Sequence, residues 1–201
     1  NIDPYGEKFG DLSTDDQYRI FIKLGKQLTD QTTDYLIGPE TALPGGYWVD
    51  SLKNDELINY VSKSLCDYPN LKLITGISTY KHYISETAPS YTARYMGNDN
   101  WYDSYNTAIQ TDCDMNIDLY HKSKLVAGVE LMPYPQFFRF LENFAIDLGG
   151  TSGSLGTQDK RSVFVDAKDK FKAAPIICYE SVFGEYVTEY VKNGATFLTI
   201  I

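Results

Sequence analysis

Apolar residues first become periodic just after Thr14-Asp15-Asp16-Gln17. Thr14 with Gln17 three positions on has the form of a capping box. Ile20, Phe21, Leu24 and Leu28 follow at three- and four-residue steps, which predicts an amphipathic helix over 14–31. Tyr35-Leu36-Ile37-Gly38 then reads as a short buried strand, which two prolines and two glycines between 39 and 46 must end. Leu57, Ile58, Val61 and Leu65 mark a second helix over 53–66, stopped near Pro69. Residues 71–80 read as a strand, whereas 81–103 are polar, rich in Tyr and without clear period, so they read as a loop or irregular hairpin. Residues 105–110 and 117–122 predict two paired strands around an Asp/Asn-rich turn. Pro135 suits the first turn of a short helix carrying Phe137, Phe138 and Leu141, and 149–156 is a glycine-rich loop. Strands follow at 162–166 and 174–178. A helix over 180–191 carries Val182, Phe183, Tyr186, Val187 and Tyr190 on one side, and Gly194 ends it.

Apolar strands alternating with amphipathic helices predict an α/β layered fold. With no internal repeat and no linker, residues 1–201 read as one domain. The last residues, 195–201, are a β-branched apolar run of the kind found in a buried strand, so a fragment of a longer chain is expected.

Composition narrows the function classes. With 43% hydrophobic and 22% charged residues, the chain has the mix of a packed globular protein rather than of a disordered or fibrous one. A net charge of −9 repels phosphate backbones and argues against nucleic acid as a partner. No stretch approaches the roughly 20 apolar residues of a membrane span, and Asn1-Ile2-Asp3-Pro4-Tyr5 has no signal-peptide pattern. Cys66, Cys113 and Cys178 cannot all pair within one chain. Cys66 and Cys113 read as structural or incidental, and their spacing leaves a disulfide between them open.

Cys178 stands where an apolar strand gives way to a helix. A helix N-terminus lowers a thiol's pKa from about 8.5 and favours the nucleophilic thiolate, and a buried structural cysteine is the alternative. The only histidines are His82 and His121. His121 alternates with Lys122 along a strand, so the two face opposite ways, which weighs against a Cys–His pair. No Cys/His cluster has metal-ligand spacing, so no metal is expected. Glu40 follows one strand end and Lys122 closes another, with Glu130 eight residues beyond Lys122. Each alone reads as a surface charge. Together with the thiol, all at strand ends, they make a candidate site.

Pro39-Glu40-Thr41-Ala42, Tyr120-His121-Lys122-Ser123-Lys124-Leu125-Val126 with Glu130, and Ile177-Cys178-Tyr179-Glu180 resemble, in this order, the Glu, Lys and Cys motifs of the nitrilase (carbon–nitrogen hydrolase) superfamily. Cys178-Tyr179-Glu180 followed by Ser181-Val182-Phe183-Gly184-Glu185 is most similar to its apolipoprotein N-acyltransferase branch. The opening Asn1-Ile2-Asp3-Pro4-Tyr5-Gly6-Glu7-Lys8 and the Tyr105-Asn106-Thr107 strand resemble that branch as well. The approach to Glu130, Leu125-Val126-Ala127-Gly128-Val129, departs from the usual Leu-Val-Pro-Phe-Gly.

The resemblance implies a nitrilase-type αββα sandwich, truncated at both ends, with a membrane-embedded region upstream of Asn1. It implies Glu40 as general base, Cys178 as nucleophile and Lys122 at the oxyanion. Glu130 would orient the lysine or the incoming amine, and Tyr179 and Glu180 would shape the nucleophile turn. The implied donor is a phospholipid and the acceptor the N-terminal amine of a diacylglyceryl-cysteine lipoprotein, on the outer side of the cytoplasmic membrane, without cofactor. Two other functions stay open: a soluble carbon–nitrogen hydrolase in which water resolves the thioester, and a non-catalytic domain binding acyl chains or lipoproteins. Trp101, Tyr102, Tyr105, Tyr91 and Tyr95 fit either the lining of a substrate approach or an ordinary half-buried sheet surface.

Overall fold

The structure, a computed structural model, describes residues 13–127, 130–131, 154–165 and 171–201. Helix α1 spans Thr14–Lys26. Its N-cap is Ser13 rather than Thr14, the Ser13 hydroxyl accepting the Asp16 N–H at 3.2 Å. The helix stops short of residue 31 because Asp30 builds a turn of its own: its Oδ1 accepts the Thr32 N–H at 2.8 Å and the hydroxyls of Thr32 and Thr33. Leu28 is consequently left 93% exposed, outside the apolar stripe.

Strand β1 (Tyr35–Ile37) leads to β2 (Gly46–Trp48) and a 3₁₀ segment over Val49–Asn54. Asp55 then caps α2 (Glu56–Ser64) by accepting the N–H groups of Leu57 and Ile58, each at 3.0 Å. The long strands β3 (Lys72–Ile84) and β5 (Asn100–Thr111) pair antiparallel along their whole length, with β4 (Arg94–Gly97) between them in sequence. Strand β6 (Asp118–His121) returns along β5 as the expected hairpin. Strands β7 (Phe164–Val165), β8 (Lys172–Ile176) and β9 (Phe197–Ile200) form a second sheet. A 3₁₀ segment over Cys178–Val182 and helix α3 (Gly184–Lys192) connect β8 to β9.

In the first sheet β1 and β2 both run parallel to β3, and β4 and β6 share the free edge of β5. In the second, β8 is central, antiparallel to β7 and parallel to β9. Two apolar clusters fix the layers. Tyr18, Phe21 and Ile22 of α1 and Ile58 and Val61 of α2 pack on Leu73, Ile77 and Ile109 of the first sheet. On the other face, Ile74, Ala108 and Tyr120 pack with Phe164, Ala173 and Ile176 of the second sheet and Tyr186 and Tyr190 of α3. The alternation along β3, Leu73 to one cluster and Ile74 to the other, is what lets one sheet serve both. The result is the αββα order of a nitrilase-type sandwich.

Over 81–103 the structure shows the irregular hairpin of the two expected alternatives: β3 reaches Ile84, and β4 pairs antiparallel with β5, which starts at Asn100, across a register shift between Tyr95 and Gly97. Aromatic residues on both faces had hidden the period of two. Tyr80 and Tyr102 pack with Trp48 on one side, while Tyr83 and Tyr105 join hydroxyls on the other. Cys66 and Cys113 form a disulfide that ties the end of α2 to the β5–β6 turn. No helix among the described residues is long and apolar enough to cross a membrane. The short helix expected from Pro135 and residues 149–153 of the glycine-rich loop lie outside the described residues.

Candidate active site

The first sheet places Glu40. The chain leaves β1 held to β3, Gly38 N–H donating to Ile74 O and Gly76 N–H to Pro39 O. The bend then lies directly on β3: a Cβ on Gly76 would sit 2.5 Å from Thr41 N and 2.8 Å from Glu40 Cα. Only glycine at 76 lets the Glu40 backbone approach that closely. Thr41 completes the turn at φ 52°, a left-handed conformation that a β-branched residue rarely adopts.

Lys122 follows β6, and its N–H donates to Asn106 O at 2.8 Å, extending the hairpin by one bond. Its side chain is 1% exposed. Nζ donates to Glu130 Oε1 at 2.9 Å and to Glu40 Oε1 at 3.2 Å. Burial alone would lower the lysine's pKa. The hydrogen bond to Glu130 and the charges of both glutamates outweigh it, and the net direction is up, so the ammonium is held charged. Glu130 keeps its place despite the altered approach: its Oε2 accepts the Val126 N–H and its own N–H donates to Val126 O, both at 2.9 Å.

Cys178 follows β8 with φ 46° and an exposed thiol, and its N–H donates to Ile201 O at 2.8 Å. Expectation and structure differ over its titration. Partial desolvation first, then the Glu40 charge, raise the thiol's pKa, against a smaller downward pull from Lys122. The lowering expected from a helix N-terminus is therefore not the net direction; the thiol heads a five-residue 3₁₀ segment, and α3 begins only at Gly184. The charges of Glu40 and Lys122 thus both act on the thiol, in opposite directions. The site therefore holds a neutral thiol against a carboxylate, with a fixed cation close by.

Glu180 is fully buried and joins two motifs. Its Oε2 accepts the Ile177 N–H at 2.9 Å, just before the nucleophile candidate. Its Oε1 accepts the Ser123 N–H at 2.7 Å, just after Lys122, and the hydroxyls of Tyr120 and Tyr186, both at 2.8 Å. The two hydroxyl oxygens are also close neighbours, and each has one proton to give. Tyr179 points outward, 41% exposed, with its ring edge-on to Phe183.

The histidines stay apart from this cluster. His121 faces away from Lys122, stacks on Tyr105 and pairs its Nδ1 with the Thr107 hydroxyl at 2.8 Å. Burial, with a smaller contribution from Lys81, lowers its pKa to about 4. His82 pairs with Asn100. Among the described residues no group of three or more His, Cys, Asp and Glu side chains could hold a metal ion.

One member of the cluster had no role in the sequence reading. Asn106 Nδ2 donates to Glu40 Oε1 at 2.7 Å and to Glu130 Oε1 at 2.9 Å. The hairpin register carries the signal: with Thr107 opposite His121, Asn106 is the strand neighbour of Lys122.

Comparison with known proteins agrees with this architecture. The family model described as carbon–nitrogen hydrolase matches residues 12–201. An apolipoprotein N-acyltransferase from Chlorobaculum tepidum is 26% identical over 205 aligned positions, covering all of this chain and 37% of that protein. The chain thus spans little more than a third of its curated relative. Among solved structures, an amidase from Nesterenkonia sp. superposes with a TM-score of 0.56 at 12% identity, over 94% of this chain and 59% of that one. A glutamine-dependent NAD+ synthetase from Acinetobacter baumannii gives 0.54 at 14% identity, over 94% and 29%. These two likenesses concern the fold alone. With the family model matched from residue 12 to residue 201, on a two-sheet α/β fold shared with such enzymes, the chain belongs to the carbon–nitrogen hydrolase family.

Proposed function

We propose that this chain carries the catalytic centre of an N-acyltransferase. It would move a fatty acyl group from a phospholipid, through a thioester on Cys178, to the N-terminal amine of a diacylglyceryl-cysteine lipoprotein. The observation that carries the reading is the hydrogen bond between the Glu40 carboxylate and the buried Lys122 ammonium, together with the action of both charges on the Cys178 thiol. The full-length curated relative, named for this reaction, supports the choice of substrates.

The thiol's raised pKa means that it needs a base at neutral pH, and Glu40 is the carboxylate whose charge bears on it most. As Glu40 takes the Sγ proton, sulfur attacks the ester carbonyl carbon. The carbonyl oxygen becomes an oxyanion, and the Lys122 ammonium lies beside it. Two of that ammonium's three N–H donors go to Glu40 and Glu130, which leaves the third for the oxyanion. Collapse expels the lysophospholipid alkoxide, which takes its proton from Glu40 and leaves the acyl group as a thioester. In the second half-reaction the lipoprotein amine attacks the thioester carbonyl, Glu40 takes the amine proton, and sulfur departs and is reprotonated. Thiol, carboxylate and ammonium account for both steps.

An outer-face location, with the membrane reached through a region upstream of Asn1, fits the Cys66–Cys113 disulfide, since such bonds persist in oxidising compartments. The test supplies the full-length protein with phospholipid and a synthetic diacylglyceryl-cysteine peptide, and reads products by mass spectrometry. The proposal expects N-acylated peptide and lysophospholipid, both lost in Cys178→Ala. Free fatty acid without acylated peptide, or turnover of small amides alone, would assign a hydrolase instead. Undiminished peptide acylation in Cys178→Ala would remove the covalent mechanism.

A further inference from the structure

Two carboxylates, Glu40 and Glu130, share one ammonium, and both present the same oxygen, Oε1, to it. Like charges this close repel, and the one cation between them offsets that repulsion. The second pair of bonds comes from Asn106, whose amide nitrogen reaches the same two oxygens. The reverse amide orientation would set Oδ1 against two carboxylate oxygens, so the donor assignment follows from the surroundings.

The distances divide the work. Glu40 sits closer to Asn106, at 2.7 Å, than to Lys122, at 3.2 Å. Glu130 is equally close to both, at 2.9 Å. The amide is therefore the nearer holder of Glu40, while Lys122 is anchored by Glu130. Neutrality matters as well. A cation in place of Asn106 would oppose protonation of Glu40, whereas an amide orients the carboxylate and leaves it able to take a proton. The backbone fixes the amide in turn, since Asn106 O accepts the Lys122 N–H at 2.8 Å.

We propose that Asn106 is a positioning residue, holding the Glu40 carboxylate against the Cys178 thiol and sparing Lys122 for the developing oxyanion. The proposal rests on the Glu40, Lys122 and Cys178 roles given above. Its test uses Asn106→Leu in the full-length protein, which removes both donors at similar volume. Asn106→Asp, of the same shape, is the second variant should the first fail to fold. Three quantities are read: alkylation of Cys178 by iodoacetamide at neutral pH, kcat and KM for acyl transfer, and the melting temperature. Misplacing a reacting group by about 1 Å costs on the order of a hundredfold. We expect kcat to fall by roughly tenfold to a hundredfold, with KM within about twofold of wild type. Alkylation in Asn106→Leu at neutral pH should rise, because the Glu40 charge that holds the thiol's pKa up has moved away, the same direction as for Glu40→Gln. A merely structural asparagine would lower the melting temperature and leave the alkylation rate of the folded protein unchanged. Wild-type alkylation and kcat in either folded variant would overturn the proposal. Failure of the acyl-transfer reading is separate: wild type would then form no acyl adduct, while the alkylation difference would persist.

Discussion

Replacing both Cys66 and Cys113 by serine tests how the scaffold beneath the site is held. The disulfide spans 47 positions, and the closed loop contains β3 and β5, the strands that carry Gly76 and Asn106. Its main effect is on the unfolded chain, whose loop-closure entropy it removes. For a loop of this length the chain-entropy relation gives about 4 kcal/mol at 25 °C, and measured bridges more commonly contribute about 2–4 kcal/mol. Cys66 is exposed and Cys113 partly so, so the two serines leave no buried cavity in the folded state. For a domain of this size each kcal/mol moves the melting temperature by about 2–4 °C, which gives a drop of roughly 4–16 °C. The assay is thermal unfolding of wild type and the double variant, each with and without reductant. Reductant should lower wild type to the level of the double variant and leave the double variant where it is. Iodoacetamide alkylation of Cys178 in the folded double variant should match wild type. Equal melting temperatures for oxidised wild type and the double variant would refute the reasoning, as would a double variant still sensitive to reductant.

Other expectations concern the site and its supports. Glu180→Gln exchanges one of the acceptor oxygens serving Ile177, Ser123, Tyr120 and Tyr186 for a donor. At least one buried N–H loses its partner, so a loss of about 1–3 kcal/mol in denaturant unfolding is expected, and no measurable loss would contradict the strut role. The pH profile of Cys178 alkylation should have its midpoint above the ordinary thiol value of about 8.5. Glu40→Gln should move that midpoint down and Lys122→Met should move it up, and the opposite order would show that these charges do not act on the thiol. Lys122→Met also leaves two carboxylates without their cation, with Glu40 30% and Glu130 13% exposed. It should destabilise by about 3 kcal/mol, the low end for a broken buried pair because Glu40 is partly solvated. His121, with its pKa lowered to about 4, is held neutral in the fold. The unfolded chain binds its proton from about pH 6.5 downward. Its contribution is thus fully present above pH 6.5 and is lost as pH falls through about 4, and His121→Asn should flatten the decline of melting temperature across that window.

Much of this architecture is legible in the chain, for reasons that can be stated residue by residue. The apolar runs of β1, β8 and β9 have few alternatives, and the hairpin between β5 and β6 is announced by its Asp/Asn turn. Glu40, Lys122 and Cys178 each stand at a strand end, the places where a layered α/β fold collects side chains. The extension of β3 and β5 was hidden because aromatic residues line both faces and erase the alternation. Asn106 was hidden differently, since an asparagine on a strand reads as part of a polar face and only the pairing register brings it beside Lys122. The Cys66–Cys113 bond depended on the fold bringing the two Cα atoms to 4.9 Å, which spacing along the chain does not determine. The direction of the Cys178 shift turned on its surroundings in the fold, partial desolvation and the Glu40 charge, which position along the chain does not reveal.

The central claim is that Cys178 is the atom that takes the acyl group. Incubating the full-length protein with phospholipid alone, without acceptor, and measuring its intact mass and peptides tests this directly. The account predicts one added acyl group on the peptide bearing Cys178, removed by hydroxylamine and absent from Cys178→Ala and Glu40→Gln. An adduct that persists in Cys178→Ala, or a wild-type protein that forms none while it acylates the acceptor peptide, would contradict it.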